Sequence, residues 1–579
     1  MAWFRGSKAL NCCAQVHGFL RFVLKTLAAE PSRSRRWLVQ ILASHGDRMY
    51  RSNRQQLEFP NFYLPFSGQL DPENRWVKLA KLVPWGLAEE IYHADLCEDF
   101  GAHVIPARVA LGALIIKERL RLTDRETVET IGENPYLQFF IGNGEFSLER
   151  PFDASLMVDF RKRFGEDGMQ RIAEAIALAS LAQDKPTSAA KDDAADDDAP
   201  PPAATDSSAD REPSNDSDAS PEPAEQQPPI ANQGRLLSDA TCAPADVRYP
   251  TDVSLLNEAR EKTDSIIDKL HSPLVGKQSR PRTYRRNGRK AFLKFIKCKK
   301  PGRKKARAAI RKQLGYLRRN LKAIDRLRAN PKSLPLHCLG RVWYKHLLVC
   351  REVYRQQFEM HQTRTRRIDD RIISITQPHV RPIKRGKAGR DTEFGAKLTL
   401  SVVDGFSFVD RLSWDNYNES LDLPAQIQQY YQRFGCYPES VHVDKIYRTR
   451  ANRALCKSLG IRMSGPPLGR PPRNVSLADK KQARADETIR NEVEGNFGEG
   501  KRRYSLGRVM AKLASTSAAQ ISLTFLVMNL ELALRRLFLS LCWPLGIVAA
   551  VRWACCSLAV ASRRAHDHRP PAAYQIFAA

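Results

Sequence analysis

Nowhere in the 579 residues do two cysteines stand as C-x-x-C, although the chain carries 12 of them, adjacent only at Cys12/Cys13 and Cys555/Cys556. A zinc knuckle is therefore excluded, and thiolate metal chemistry with it. A chain with this much core material has no need of a disulfide scaffold, so most cysteines read as reduced, buried, small hydrophobes of a cytosolic protein. Long apolar runs are also scarce. The N-terminal stretch has basic residues inside its apolar part and no clean hydrophobic region before a cleavage site, which argues against a signal peptide. Near the other end, Leu537 to Val551 is almost wholly apolar but is broken by Pro544 and Gly546 and closed by Arg552. It falls short of the roughly 20 residues that span a bilayer, so no stable membrane insertion is expected.

Acidic residues are in deficit. Against 93 Lys and Arg stand 64 Asp and Glu, a formal charge of +29 and a pI near 9.8, which points to a polyanionic partner. The excess is local. Between Lys277 and Arg328 about twenty Lys and Arg face a single acid, Asp325, with Tyr284, Phe292, Phe295 and Tyr316 among them. Such density repels itself unless a polyanion lies against it, and reads as a nucleic-acid arm. The opposite charge collects at 183–234, where Asp, Glu, Ala, Pro and Ser leave almost nothing to bury; this reads as a disordered acidic linker.

These shifts divide the chain. Residues 1–59 form an extension of unclear role, 60–182 a helical domain, 235–536 an α/β domain interrupted by a basic helical insertion at about 263–370, and 537–579 a tail. In the helical domain, Thr123 with Glu126 makes a capping box and Pro106 suits a first helical turn. The tight junction from Arg121 to Asp124 is compatible with helix-turn-helix contact to DNA. Further on, RIISIT (371–376) and AKLTLSVV (396–403) read as strands. Leu423 to Phe434 reads as a helix and Ser440 to Val443 as a short strand ending at Asp444. A helix stopping at Gly460 follows, and Thr516 to Leu534 reads as a long apolar helix. Strand and helix alternate, as in a sheet covered by helices.

The stretch 485–506, ADETIRNEVEGNFGEGKRRYSL, sets Arg490, Glu494 and Lys501 on one helical face with Phe497 beside them, before turning rich in glycine and cations. One acid flanked by cations needs two more acids to hold a hard metal ion. Asp239 and Asp444, each read at a strand end and 205 and then 50 residues from the next acid, are the candidates. Carboxylates can hold Mg²⁺ while leaving positions for water and phosphate oxygens, which is the requirement of two-metal phosphoryl transfer.

The pattern Arg490-x3-Glu494-x6-Lys501 resembles the glutamate-region signature of bacterial insertion-sequence DDE transposases. SDATCAPADVRYPTD is similar to their first-aspartate region and VHVDKIYRTRANR to the second. ERPFDASLMVDFRKRFGEDGM resembles the helical domain that precedes the catalytic one. Two positions depart: Glu487 stands where Tyr is common, and Ile446 where Gly commonly follows Asp-Lys. The resemblance implies an RNase H-like catalytic domain, a mixed sheet flanked by helices, with an all-α domain before it. It implies that Asp239, Asp444 and Glu494 are catalytic and hold two Mg²⁺, with Mn²⁺ able to substitute. It further implies DNA contacts by Arg490, Lys501, Arg502, Arg503 and Arg448. The activity implied is cleavage at insertion-sequence ends and strand transfer into target duplex, by a homodimer holding two inverted repeats in the bacterial cytoplasm, at the nucleoid. The same residues leave two alternatives: a transposase-derived DNA-binding protein without turnover, and an RNase H-like nuclease.

Overall fold

The computed structural model describes residues 68–94, 96, 104–183, 231–384, 392–465 and 476–538. The N-terminal extension, nearly all of the acidic linker and the tail beyond Phe538 lie outside these residues.

Six helices open the described chain: α1 (Arg75–Leu82), α2 (Trp85–His93), α3 (Ala107–Leu120), α4 (Asp124–Glu133), α5 (Pro135–Phe140) and α6 (Leu156–Gln183). Their starts follow local chemistry. Pro106 is the N-cap of α3, and the Thr123 hydroxyl accepts from Glu126 N while the Glu126 carboxylate accepts from Thr123 N, so the capping box is formed. Between α3 and α4 the chain turns on Arg121, which adopts the left-handed conformation at φ 58°. The second helix of this pair carries Asp124, Glu126, Glu129 and Glu133 against one base, Arg125. A helix of that sign repels phosphate, so α4 does not have the character of a recognition helix.

A mixed sheet follows, built from β1 (Arg235–Pro244), β2 (Arg381–Lys384), β3 (Thr392–Val403), β4 (Phe406–Ser413), β5 (Ser440–Val443) and β6 (Arg462–Met463). The strand order is β2-β3-β1-β5-β6, with β4 also paired to β3. Strands β4, β3 and β1 are antiparallel, whereas β5 runs parallel to β1 and β6 parallel to β5. The approach of β3 to β1 depends on Gly395, where an added methyl would collide with the Ala243 carbonyl and stand 2.8 Å from Pro244 Cα. Helices α11 (Leu423–Phe434), α12 (Arg450–Ser458), α13 (Leu477–Arg503) and α14 (Ala514–Phe538) complete the domain. The last is long and apolar enough to cross a membrane, but 94% of its most apolar window is buried in protein. It is a core helix. The helical domain and the sheet share one continuous apolar core, in which Ile172 and Ile176 join Leu398, Val402, Leu523 and Phe525.

Between β1 and β2 stands the insertion: α7 (Asp252–His271), α8 (Arg285–Ile296), α9 (Arg303–Ala329) and α10 (Arg341–Thr363). It has its own core of Leu256, Ile266, Leu317, Ile324 and Val353, so it begins at Asp252, earlier than the change in composition at about 263. RIISIT is not a strand. Ile372, Ile373 and Ile375 are all buried, but on two surfaces: Ile372 and Ile375 dock into the insertion core, while Ile373 packs with Ala245 and Val380. Burial here reflects two packing surfaces and no ladder. The strand in this region is β2, ten residues on.

Of the described cysteines, Cys242, Cys350, Cys436 and Cys456 are buried and free, Cys298 is half-buried and Cys338 exposed.

Candidate active site

Four residues of β5 pair with β1 in parallel register, from Arg235 opposite Ser440 to Ser238 opposite Val443. The next positions are Asp239 and Asp444, side by side where β5 stops. Asp444 ends its strand as the sequence suggests, and its carboxylate accepts from Lys445 N at 2.7 Å, capping the short 3-10 turn that follows. Asp239 does not end β1. Antiparallel pairing to β3 continues through Asp239, opposite Leu400, to Pro244, because the partner strand runs on alongside it to Gly395.

Across from the two aspartates lies α13, anchored by Val493 and Phe497, both buried. The face read from the sequence is real: Arg490, Glu494, Phe497 and Lys501 all line a cavity of about 670 Å³ that Asp239 and Asp444 line from the sheet. The Lys501 ammonium donates to Thr241 Oγ1 on β1 at 2.9 Å, tying helix to sheet. The Arg490 guanidinium lies 3.2 Å from Glu494 and 2.8 Å from Glu487, and these carboxylates, Glu487 first, hold its pKa above the usual value. The acid standing where related signatures often carry Tyr is thus the main counter-ion of the site arginine. Ile446, the other departure, lines the cavity and is half exposed.

Glu419 is the acid that the sequence reading missed. It lines the same cavity and pairs with Lys397 on β3 at 3.0 Å, while the Lys397 ammonium also donates to the Tyr417 carbonyl at 2.8 Å. Lys384, at the end of β2, is a further cation of the lining. The consequence appears at Asp239, whose pKa is pushed up to about 6. Burial is the main cause, and the neighbouring charges of Glu419 and Asp444 add to it. The Ala240 N–H and Arg490 act the other way.

Three other cations lie outside the cavity lining. Arg448 donates to the carbonyls of Ser464 and Gly465, holding the loop after β6. It does not line the cavity. Arg503 pairs with Glu499 at 3.1 Å, and Arg502 donates to Gly498 O at 3.2 Å; both are exposed at the helix end, outside the lining.

The cavity offers oxygen donors and no imidazole, which suits Mg²⁺ or Mn²⁺ better than zinc. Burial and the neighbouring carboxylates disfavour the charge on Asp239, and a divalent cation held there would favour it. Among the described residues, no three carboxylates are drawn close enough to form a ready ligand shell. Asp239 and Asp444 make a pair on the sheet, and Glu494 is turned towards Arg490.

A family model described as "Transposase DDE domain" matches residues 441–531, which include Asp444 and Glu494 but not Asp239. A second, described as a transposase domain, matches residues 65–163, the larger part of the helical domain. The "Uncharacterized protein ORF8 in nfe locus" of Rhizobium meliloti is 35% identical over 112 residues, 19% of this chain. The chain thus spans about half, 54%, of that relative's length. No solved structure matches. Two transposase models fall on separate stretches in the order the motifs imply, helical domain and then sheet, and together they support an insertion-sequence DDE transposase.

Proposed function

We propose that the protein cuts DNA at the ends of its own element and joins the freed 3′ end to a target duplex, with Asp239, Asp444 and Glu494 as the catalytic carboxylates. The observation that carries this reading is the β1–β5 register, which sets Asp239 beside Asp444 in a cavity whose opposite wall carries Glu494, Arg490 and Lys501. The strand order, an antiparallel β4-β3-β1 run followed by parallel β5 and β6, supports an RNase H-like assignment. Asp239, Asp444 and Glu494 are the residues that would hold the divalent ions. Such ions polarise the phosphorus and activate water or a 3′-hydroxyl in line with the leaving oxygen. The chain's own residues do the rest. Arg490 and Lys501 bind the phosphate, the sheet fixes the aspartates, and the apolar wall of Phe497 limits water in the cavity.

The insertion would clasp the DNA flanking the cut. Of the basic residues from Lys277 to Arg328, only Arg280 and Arg285 are ion-paired among the described residues, both to Asp268. Exposed cations such as Lys304, Arg311, Arg318 and Lys322 line the α9 surface without counter-ions among the described residues, as a phosphate-binding surface requires. A homodimer holding two ends fits the need to cut and join both.

The test uses duplexes copied from the DNA flanking the gene. With Mg²⁺ the protein should nick at the element boundary and join the 3′ end to a second duplex, and neither product should form with EDTA. Cleavage of RNA or branched DNA with no joining would replace this reading with a nuclease, and tight DNA binding with no cleavage would leave a DNA-binding protein.

A further inference from the structure

A second cavity, of about 510 Å³, opens where the helical domain meets the C-terminal end of α13. It adjoins the acidic cavity, because Lys501 lines both. Its walls bring together basic side chains distant in sequence: Lys117 and Arg121 at the end of α3, Arg161 on α6, Lys501 on α13 and Arg508 beyond it. Two acids share the lining, and both are occupied by protein. Asp124 is held by Arg161 at 3.0 and 2.8 Å and by Lys117 at 3.0 Å. Glu118, almost fully buried, accepts from Ser505 N, Ser505 Oγ and Thr524 Oγ1 at 2.7–2.9 Å. Lys117 and Arg161 are thus taken up by Asp124, and Arg508 pairs with Asp246, so these groups fix the seam.

Arg121 is the most available of these. It is exposed at the rim, and among the described residues its side chain makes one hydrogen bond, from Nη1 to the Arg502 carbonyl at 3.1 Å. A guanidinium has five N–H donors, so most remain for a ligand, and their planar fork suits a phosphate. The bond to Arg502 O sets that fork beside the helix end that carries Lys501.

We propose that this seam cavity binds the phosphodiester backbone of the DNA strand adjoining the phosphate in the acidic cavity, with Arg121 as its principal contact. The proposal rests on the DNA-cutting reading above and adds a role to it: the helical domain positions the scissile strand through α3, and not through the acidic α4. The strand would pass from the Asp239–Asp444 pair along Lys501 to Arg121, where both cavities present cations to it.

The experiment compares wild type with Arg121→Asn, a residue that tolerates the left-handed backbone at this position and keeps the turn while removing the charge. Each protein is titrated in EDTA with a labelled duplex copied from the element's end, and with duplexes carrying one neutral methylphosphonate at successive positions beside the cut. Unchanged melting of Arg121→Asn establishes folding. Loss of one charge-assisted contact should weaken binding of the native duplex about tenfold. At one or two adjacent positions the methylphosphonate should cost wild type the same factor and cost the variant nothing further. Equal binding of the native duplex by both proteins would overturn the proposal, as would methylphosphonate penalties that are the same for both at every position. Wild type that binds and cuts normally alongside such a result would leave the cutting activity standing. Wild type that neither binds nor cuts would overturn both.

Discussion

Replacing Asp239 by Asn should make the metal-free protein more stable and inactive, and the size of the gain follows from its surroundings. The carboxyl's pKa is pushed up to about 6 from the ordinary 3.8 by burial and by Glu419 and Asp444. Two units correspond to at most ~3 kcal/mol, and partial solvent screening at this half-buried position reduces that to roughly 1–2 kcal/mol. The sign is set by protons. Between the unfolded and folded values the native carboxyl keeps a proton that the unfolded chain has lost, so stability falls as pH rises from about 4 to about 6. Above that range the full penalty is present. Asparagine carries no charge and retains the carbonyl oxygen that accepts from Ala240 N at 2.7 Å. In EDTA at pH 7.5, Asp239→Asn should therefore melt about 2–6 °C above wild type, and near pH 4 the two should coincide. Adding Mg²⁺ at pH 7.5 should raise the wild-type melting temperature and leave the variant unmoved. A variant that melts below wild type at pH 7.5, or a gap that does not change with pH, would refute the claim that Asp239 sits in a crowded anionic site.

Glu494→Gln should bind terminal duplex as wild type does and lose Mg²⁺-dependent nicking, since the amide keeps the shape but not the charge that holds a metal ion; equal loss of both in a gel-shift and nicking comparison would make Glu494 structural. Changing Lys304, Arg311, Arg318 and Lys322 together to Gln should leave melting unaltered and lower the log–log salt slope of duplex binding by up to about 3.6, at about 0.9 per phosphate contact. An unchanged slope would mean that the α9 surface faces solvent in the complex. Gly395→Ala should cost ~3 kcal/mol or more, or abolish soluble expression, because the methyl meets the backbone of Ala243 and Pro244, which cannot yield as a side chain can. Normal denaturant unfolding of that variant would refute the close β1–β3 approach.

What was legible in the sequence was what local chemistry determines. The capping box at Thr123 formed because its two partners lie three residues apart, and α11 runs from Leu423 to Phe434 as its apolar spacing requires. Asp444 ends β5 as read, where its carboxylate caps the 3-10 turn that begins at Lys445. Strand β4 carried a signal that went unread: Asp404-Gly405 between apolar alternations is a strong short-range hairpin mark, and both residues adopt positive φ, 47° and 82°. Glu419 carried none. Its place in the cavity depends on an ion pair to Lys397, a residue on another element, and nothing in NES at 418–420 predicts that. The mid-strand position of Asp239 was illegible for a related reason, since the length of β1 is set by β3, more than 150 residues away.

The glycines of α13 show how composition can mislead about cause. Gly495, Gly498 and Gly500 give this stretch a composition that weakens a helix, yet α13 runs unbroken from Leu477 to Arg503. Each glycine in a helix interior costs up to about 1 kcal/mol relative to alanine, so the helix needs compensation from packing. Gly500 shows where it comes from. A methyl there would stand 3.0 Å from Leu506 Cδ2 and 3.4 Å from Met528 Sδ, so its absence lets the turn after α13 and the core helix α14 close on the helix end. That closure fixes the last turn of α13, from which Lys501 reaches Thr241 and Arg502 presents its carbonyl to Arg121. In the proposed phosphate site the glycine would act indirectly, by holding Lys501 in place.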